Sequence, residues 1–400
     1  MAYALTHKPD RIIIASLANN TALDGISNRG LVQVANGDWY VFWRDNAADF
    51  HYAKSTDGRR RWTYGVEIST NIVFFDVWYD RDTPGGTGDL IHIAYYGDSL
   101  DDVIYRNLDT SSDTLAAEVT AFTGVSTAAT VNSGVSIAKS RGGNLYIVYD
   151  LDGGAEAGAL KSTDGGANWS NLANPNEAVG DQWLLFPGNY ADTNDMDLVF
   201  WDTSANALSL KVYDDDGNSW AETAIASSMT DIGRTTTNWN LSGFVDPSNN
   251  HLMVAAWSAA ASSTPSLKTW DINTSGSITA TTDVITTTAN LARGVVLQRC
   301  DTTIYAIYGM DETDANLLTI RYKISTDGMI TWGAEKYLWD GNERRIDCLM
   351  GGQHLRYGDR LPAIVAFNQN ELIFADAAEP TQAYIWTFFQ EHSISPKVLI

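Results

Sequence analysis

Cysteine is nearly absent: Cys300 and Cys348 are the only two in 400 residues, too few for a disulfide framework or a cysteine-ligated zinc site. Positive charge is also short. Twenty-six Lys and Arg face 49 Asp and Glu, giving a formal net charge of -23. Such a surface repels polyanions at long range, which argues against nucleic acid as a partner. Long apolar runs are missing as well. The opening MAYALTHKPDRIIIASLANN has no basic region followed by the apolar stretch of a secretory signal, and no later segment has the length of a membrane span. The expectation is a soluble protein without membrane insertion, in a location that can include a virion released by lysis. Phosphate-loop, dinucleotide-binding and Gly-x-Ser-x-Gly patterns are absent too.

What the chain has in quantity is aromatic and turn-forming residues, with 14 Trp, 18 Tyr and 32 Gly. Together with abundant Ser, Thr, Asn and Asp they favour strands and turns over helices. An octet repeats: STDGRRRW at 55, STDGGANW at 162, YDDDGNSW at 213 and STDGMITW at 325. The intervals are close to two, one and two units of about 54 residues. Degenerate copies fall where that period requires them, as NLDTSSDT at 107, with Asp109, and DINTSGSI at 271, with Asn273. A seventh position near FADAAEP has lost the signature.

Ahead of each box the same strand grammar recurs: RGLVQVA, DWYVFW and DFHYAK before the first, SGVSIAKS, NLYIVYD and AGALK before the third. Short apolar runs separated by Gly, Asn and Asp turns are antiparallel strands joined by hairpins, and four per unit make a propeller blade. The reading is all-β: one propeller over 1–400, of seven four-stranded blades or, alternatively, six, with 391–400 as a C-terminal tail. The N-terminal strand RIIIASL is expected to join the last blade, beside LPAIVAF, ELIFADA and QAYIWTFF, and so close the ring.

The octet S-x-D-x-G-x-x-W, in register between the third and fourth strands of a repeated blade, resembles the Asp-box, or BNR repeat, of the sialidase-like propellers. The resemblance covers essentially the whole chain. It implies that Asp57, Asp109, Asp164, Asp215 and Asp327 fasten their own turns, and that Trp62, Trp169, Trp220 and Trp332 anchor those turns in the blade, away from any pocket. The basic run Arg59 to Arg61 suits an acidic partner or a sugar carboxylate, or is simply solvated. A sialidase-type site needs an arginine clamp for a carboxylate, a tyrosine nucleophile and an acid. The candidates are Arg29, Arg293 and Arg345 before inner strands, Tyr357 and Asp347. The stretch from Leu23 to Trp43 also resembles the first blade of BNR-type polysaccharide lyases, which use His and Tyr as proton-transfer groups. His354 with Tyr357 is the pair available, or else both belong to a surface turn. The loop YDRDTPGGTGD offers Asp80, Asp82 and Asp89 as candidate calcium ligands, against the alternative of a solvated hairpin.

Two functions follow. One is a non-catalytic propeller that binds a glycan, a cell-surface receptor or other subunits, for instance on a virus or phage particle. Exposed aromatic and Asn, Asp and Thr side chains would then meet the sugar. The other is a glycan-cleaving hydrolase or lyase, which requires its groups to converge at one end of an open axis. The repeat also separates the cysteines. One period before Cys348 lies six residues from Cys300, an offset of roughly 20 Å along a strand, beyond disulfide reach. Thiol titration in denaturant without reductant is expected to find two reactive thiols per chain; none would mean that a disulfide joins them.

Overall fold

The computed structural model describes residues 12–17, 29–44, 47–56, 61–63, 65–97, 102–125, 134–151, 157–175, 182–202, 205–229, 240–260, 264–274, 276–280, 283–286, 292–311, 318–339, 346–355, 360–367 and 383–391. The chain is a single β-propeller. Among the described residues its strands form seven sheets, built mainly of antiparallel strands. Six start from an innermost strand and run outward in chain order. Those innermost strands are Leu31–Gln33, Ile72–Tyr79, Val135–Lys139, Gln182–Pro187, Leu241–Val245 and Ala292–Cys300. From Ile72–Tyr79 onward each packs against the next, and Ala292–Cys300 packs against Ile346–Met350 of the last sheet. The short strand His354–Leu355 leaves the last sheet, pairs in parallel with Arg299 and Cys300, and touches Leu31–Gln33.

Closure follows the expected route. Ile12–Leu17 pairs antiparallel with Ala383–Glu391, which pairs with Arg360–Phe367 and so with Ile346–Met350. Residues from the first 20 thus complete a sheet made from the last 60, and the outer edge of that sheet is covered by the chain's own start. The segment ELIFADA and the tail 392–400 lie outside the described residues. Among the described residues no helix is long and apolar enough to cross a membrane.

The aromatics correct one expectation. Trp78, Trp183, Trp201, Trp257 and Trp270 are fully buried, and the exposed large hydrophobics among the described residues are Val66 and Ile330 rather than any Trp or Tyr. Each sheet has a neighbour on both faces, so the rings that alternate along its strands fill the spaces between sheets.

The boxes hold their turns by local hydrogen bonds. Asp164 Oδ1 accepts from Ser162 Oγ and from the Asn168 N–H, both at 2.9 Å, while the Gly166 N–H donates to Ser162 Oγ. Asp327 repeats the pattern with Ser325 Oγ at 2.8 Å and the Thr331 N–H at 2.9 Å. Asn273, in the degenerate copy, accepts the Ser277 N–H at 3.0 Å, so an amide oxygen serves in the same place. These bonds hold Asp164 and Asp327 at about 2, below the usual carboxylate range. Trp169 and Trp220 are half-buried against the core, and the Trp169 indole N–H donates to Gly166 O. Asp57 lies outside the described residues.

The fourth copy differs. Asp214 accepts the Gly217 N–H at 2.9 Å and holds the turn, while Asp215 points back to the preceding sheet. There it pairs with Lys161 Nζ at 2.6 Å and accepts from the Tyr146 hydroxyl at 3.0 Å. A second clamp of the same composition joins the first two sheets: Asp113 accepts from Lys54 Nζ at 2.7 Å and from the Tyr40 hydroxyl. Asp109 meanwhile forms a small turn with Ser111. Removing Asp215 leaves a lysine and a phenol without their acceptor. Asp215→Ala is expected to lower stability by about 2 kcal/mol, read from denaturant unfolding. A double-mutant cycle with Lys161→Ala that shows no coupling would refute the clamp.

Candidate functional site at the strand-start end of the axis

The innermost strand of every sheet has one edge toward the axis, and its open N–H and C=O groups need partners. Buried side chains supply them. Asp76, in the middle of Ile72–Tyr79, accepts from the Val77 N–H with Oδ1 and from Ser136 Oγ and the Ile137 N–H with Oδ2, all within 3.0 Å. Ser136 Oγ in turn accepts the Leu185 N–H at 3.0 Å. Ser242 repeats that bond to the Leu297 N–H at 3.0 Å, and Gln182 Oε1 accepts the Asn240 N–H at 3.2 Å.

Arg29 crosses this network. Its guanidinium donates to Leu185 O at 2.9 Å and to Asp76 Oδ2 at 3.3 Å, and it lies over the Phe186 and Trp78 rings, 4.4 and 5.2 Å from their centroids. Arg29 is 4% exposed. Burial lowers its pKa from the ordinary value, opposed by the charges of Asp76 and Asp82. The sequence offers Arg29 as one arm of a carboxylate clamp; the structure places it as a strut joining the first, second and fourth sheets, with its terminal nitrogens engaged. Arg345 and Tyr357 lie outside the described residues. Arg293 and Asp347 belong to inner strands, but their side chains are outside the described set. His354 is buried, with its ring edge-on to Phe244 at 5.4 Å, so it is not part of a surface turn.

Above the strut, at the end where inner strands begin and second strands finish, the structure holds polar groups that the sequence reading passed over. The Tyr96 hydroxyl, the Trp183 indole N–H and Asn240 Oδ1 are buried and have no hydrogen-bond partner among the described residues. Tyr96 closes the second strand of the second sheet, Trp183 opens the inner strand of the fourth and Asn240 precedes that of the fifth. Burial, aided by the Asp150 carboxylate, raises the Tyr96 pKa well above its ordinary value, so the phenol is protonated. Buried polar groups are nearly always satisfied, and these three are among the described exceptions. The signal available in the sequence was position alone: each lies at the axial end of its strand.

At the opposite end of the second sheet, the acidic loop is internally paired. Asp80 sits in the short helix Asp80–Asp82 and accepts from His92 Nε2 at 2.9 Å, from Lys139 Nζ at 2.5 Å and from the Leu90 N–H at 3.1 Å. Burial pushes Asp80 up, but the bonds and charges of His92 and Lys139 outweigh it and hold the carboxyl well below the usual range. Asp89 pairs with Arg81 at 2.8 Å. Among the described residues no three His, Cys, Asp or Glu side chains gather as they would around a metal ion. His92 Nδ1 lies 2.7 Å from the Tyr105 hydroxyl. Donation from Nε2 to Asp80 leaves Nδ1 to accept from the phenol, which describes a neutral imidazole. His92 and Tyr105 are bonded to one another and His92 to Asp80, so this His and Tyr pair is engaged within the sheet.

No protein-family model matches the sequence, and no curated protein does. Among solved structures, a polysaccharide lyase of a new family, an ulvan lyase bound to -[GlcA(1-4)Rha3S]-, is similar with a TM-score of 0.64 at 11% identity, over 95% of this chain and 96% of that one. AofleA from Arthrobotrys oligospora is similar with a TM-score of 0.51 at 12% identity, over 81% of this chain and 88% of that one. The Hadza microbial sialidase Hz136 has a TM-score of 0.47 at 13% identity, over 94% of this chain and 66% of that one. The first two, with TM-scores above 0.5, bear on the fold alone at these identities, and function has to be argued from the site.

Burial lowers the His92 pKa from its ordinary 6.5, against the pull of Asp80. A depressed folded-state value means that the unfolded chain takes up the proton first. The stability contributed by neutral His92 is therefore present above about 6.5 and is lost as pH falls toward the folded value. The stability gap between the wild type and His92→Gln is expected to shrink between pH 7 and pH 5 in urea titrations. A gap that stays constant over that range would contradict the assignment.

Proposed function

We propose that the protein is a carbohydrate-binding propeller that receives its ligand at the strand-start end of the axis. The observation that carries this reading is the set of buried, unpartnered groups there: a phenol, an indole N–H and an amide oxygen. Sugar hydroxyls both donate and accept, so they complement such a mixed set, and the neighbouring rings suit the apolar faces of a pyranose. That one of the similar folds is a polysaccharide lyase bound to -[GlcA(1-4)Rha3S]- is in keeping with it. A cell-surface glycan is the receptor this reading implies, and a virus or phage particle is one setting in which such a propeller would be carried.

The second reading is glycan cleavage. It draws on the Asp150 charge, which acts on the Tyr96 phenol through space without a hydrogen bond to it. Against it stands Arg29, a clamp candidate whose terminal nitrogens are held by Leu185 O and Asp76.

A glycan array followed by calorimetric titration tests the proposal. Tyr96→Phe and Trp183→Phe are each expected to weaken binding about fivefold to tenfold, the size of one lost hydrogen bond, with the melting temperature little changed. Binding that is indifferent to both variants would place the ligand elsewhere. Turnover of a bound glycan that vanishes in Tyr96→Phe would favour the enzymatic reading.

A further inference from the structure

The loop 188–195 joins Gln182–Pro187 to Met196–Asp202 in the fourth sheet and lies at the strand-finish end of the propeller. It is fastened to the turn 140–144 of the third sheet, between Val135–Lys139 and Leu145–Asp150. Arg141 donates to Asn189 Oδ1 at 2.7 Å, the Gly142 N–H to Thr193 O at 2.8 Å, and Ser140 Oγ and Asn144 Nδ2 both to Asn194 Oδ1 at 3.0 Å. The two segments meet closely: a Cβ on Gly142 would come to 2.1 Å from Asn194 Oδ1. On the fourth sheet itself, Tyr190 reaches from the loop to donate its hydroxyl to Asp197 Oδ1 at 2.8 Å, and Asp195 Oδ1 accepts the Asp215 N–H at 2.9 Å.

Asp197 is 5% exposed, in register between Phe186 and Val212, and the Tyr190 phenol is its hydrogen-bond partner among the described residues. The charged groups of the surrounding elements are engaged elsewhere or carry the wrong sign. From the third sheet, Arg141 holds Asn189 and Tyr190 O, while Lys161 and the Tyr146 hydroxyl are both bonded to Asp215. The loop adds Asp192 and Asp195, and the turn after Tyr213 adds Asp214. In the fifth sheet Leu241–Val245 and Leu252–Ala260 carry no charge, and in the turn between them Asp246 pairs with Arg299 and His251 with Asp271. A buried carboxylate with one phenolic donor and an aspartate neighbour is costly, whereas the carboxylic acid is not. We infer that the loop 188–195 is a pH-sensitive latch on the third sheet, closed while Asp197 is protonated and loosened as that carboxyl ionises. Burial raises the Asp197 carboxyl to about 7, opposed by the Tyr190 bond and assisted by the Asp195 charge. Loosening admits water and returns the group toward its ordinary 3.8, so the closed loop binds the proton more tightly than the open one. Closure is therefore firmest in acid, weakens as pH rises between these two values and is at its floor above about 7.

Amide hydrogen exchange of the segments 188–195 and 140–144, corrected for the intrinsic pH dependence of exchange, tests the latch between about pH 5 and about pH 8. The expected result is local opening that rises by up to about tenfold per pH unit as far as about pH 7 and then levels off, while the hairpins of the fifth and sixth sheets keep their protection. Asp197→Asn retains an acceptor for Tyr190 without the charge, and is expected to hold its acid-state protection throughout. An infrared carboxylic-acid band that fades in the wild type as pH rises toward neutrality should be missing from this variant. Tyr190→Phe removes a bond that favours the ionised carboxyl, so its transition should move to higher pH, whereas a purely structural contact would lower protection alike at every pH. Protection that stays constant over this range in the wild type overturns the inference. So does a pH dependence that survives in Asp197→Asn, or a Tyr190→Phe transition at unchanged pH.

Discussion

The open inner edge of each sheet is the constraint on which the rest of the molecule depends. A propeller can cover the outer edge of its closing sheet by pairing the chain's two ends, but the inner edges still face the axis, and here only the end of Ala292–Cys300 is seen to gain a strand partner there among the described residues. Here Asp76, Ser136, Ser242 and Gln182 bring acceptors to the N–H groups of the following inner strands, and Arg29 brings donors to the carbonyls of Ile137 and Leu185. Because each side chain starts on one sheet and ends on another, satisfying the edge also ties the sheets together. The arginine and the aspartate could not be removed singly. Either one alone would be an uncompensated charge in the core.

The architecture was legible in the sequence because it is written in local terms. A strand pattern, a turn and a fastening aspartate recur at a fixed interval, so each unit reports the same structure independently of the others. Closure by RIIIASL could be inferred in the same way, as a strand without a sheet of its own. The register of the fourth box could not. In YDDDGNSW three aspartates follow one another, and which of them holds the turn depends on a lysine and a tyrosine one unit away, Lys161 and Tyr146. Alignment of the repeat selects Asp215; the clamp draws it out of the turn and leaves Asp214 to replace it.

The candidate site was far less legible. Arg29 stands before an inner strand, as a substrate-binding arginine would, and sequence position cannot distinguish a side chain that reaches a ligand from one that crosses the axis to a neighbouring carbonyl. That choice is made by Asp76, Trp78 and Phe186, which lie 47 or more positions away. Tyr96, Trp183 and Asn240 fail to stand out for a different reason. Each sits among apolar strand residues and looks like core, and only the absence of a partner for its polar atom separates it from the many buried aromatics that fill the space between sheets.

The scaffold and the site constrain one another. An axis braced by a charged arginine and aspartate is rigid and polar at mid-depth, yet its charges are matched internally and present no net attraction to a ligand. Tyr96, Trp183 and Asn240 lie toward the strand-start end of the propeller, each with a polar atom that has no hydrogen-bond partner among the described residues. The bracing that makes the propeller stable thus also engages Arg29, one of the three arginines that the sequence offers for a clamp.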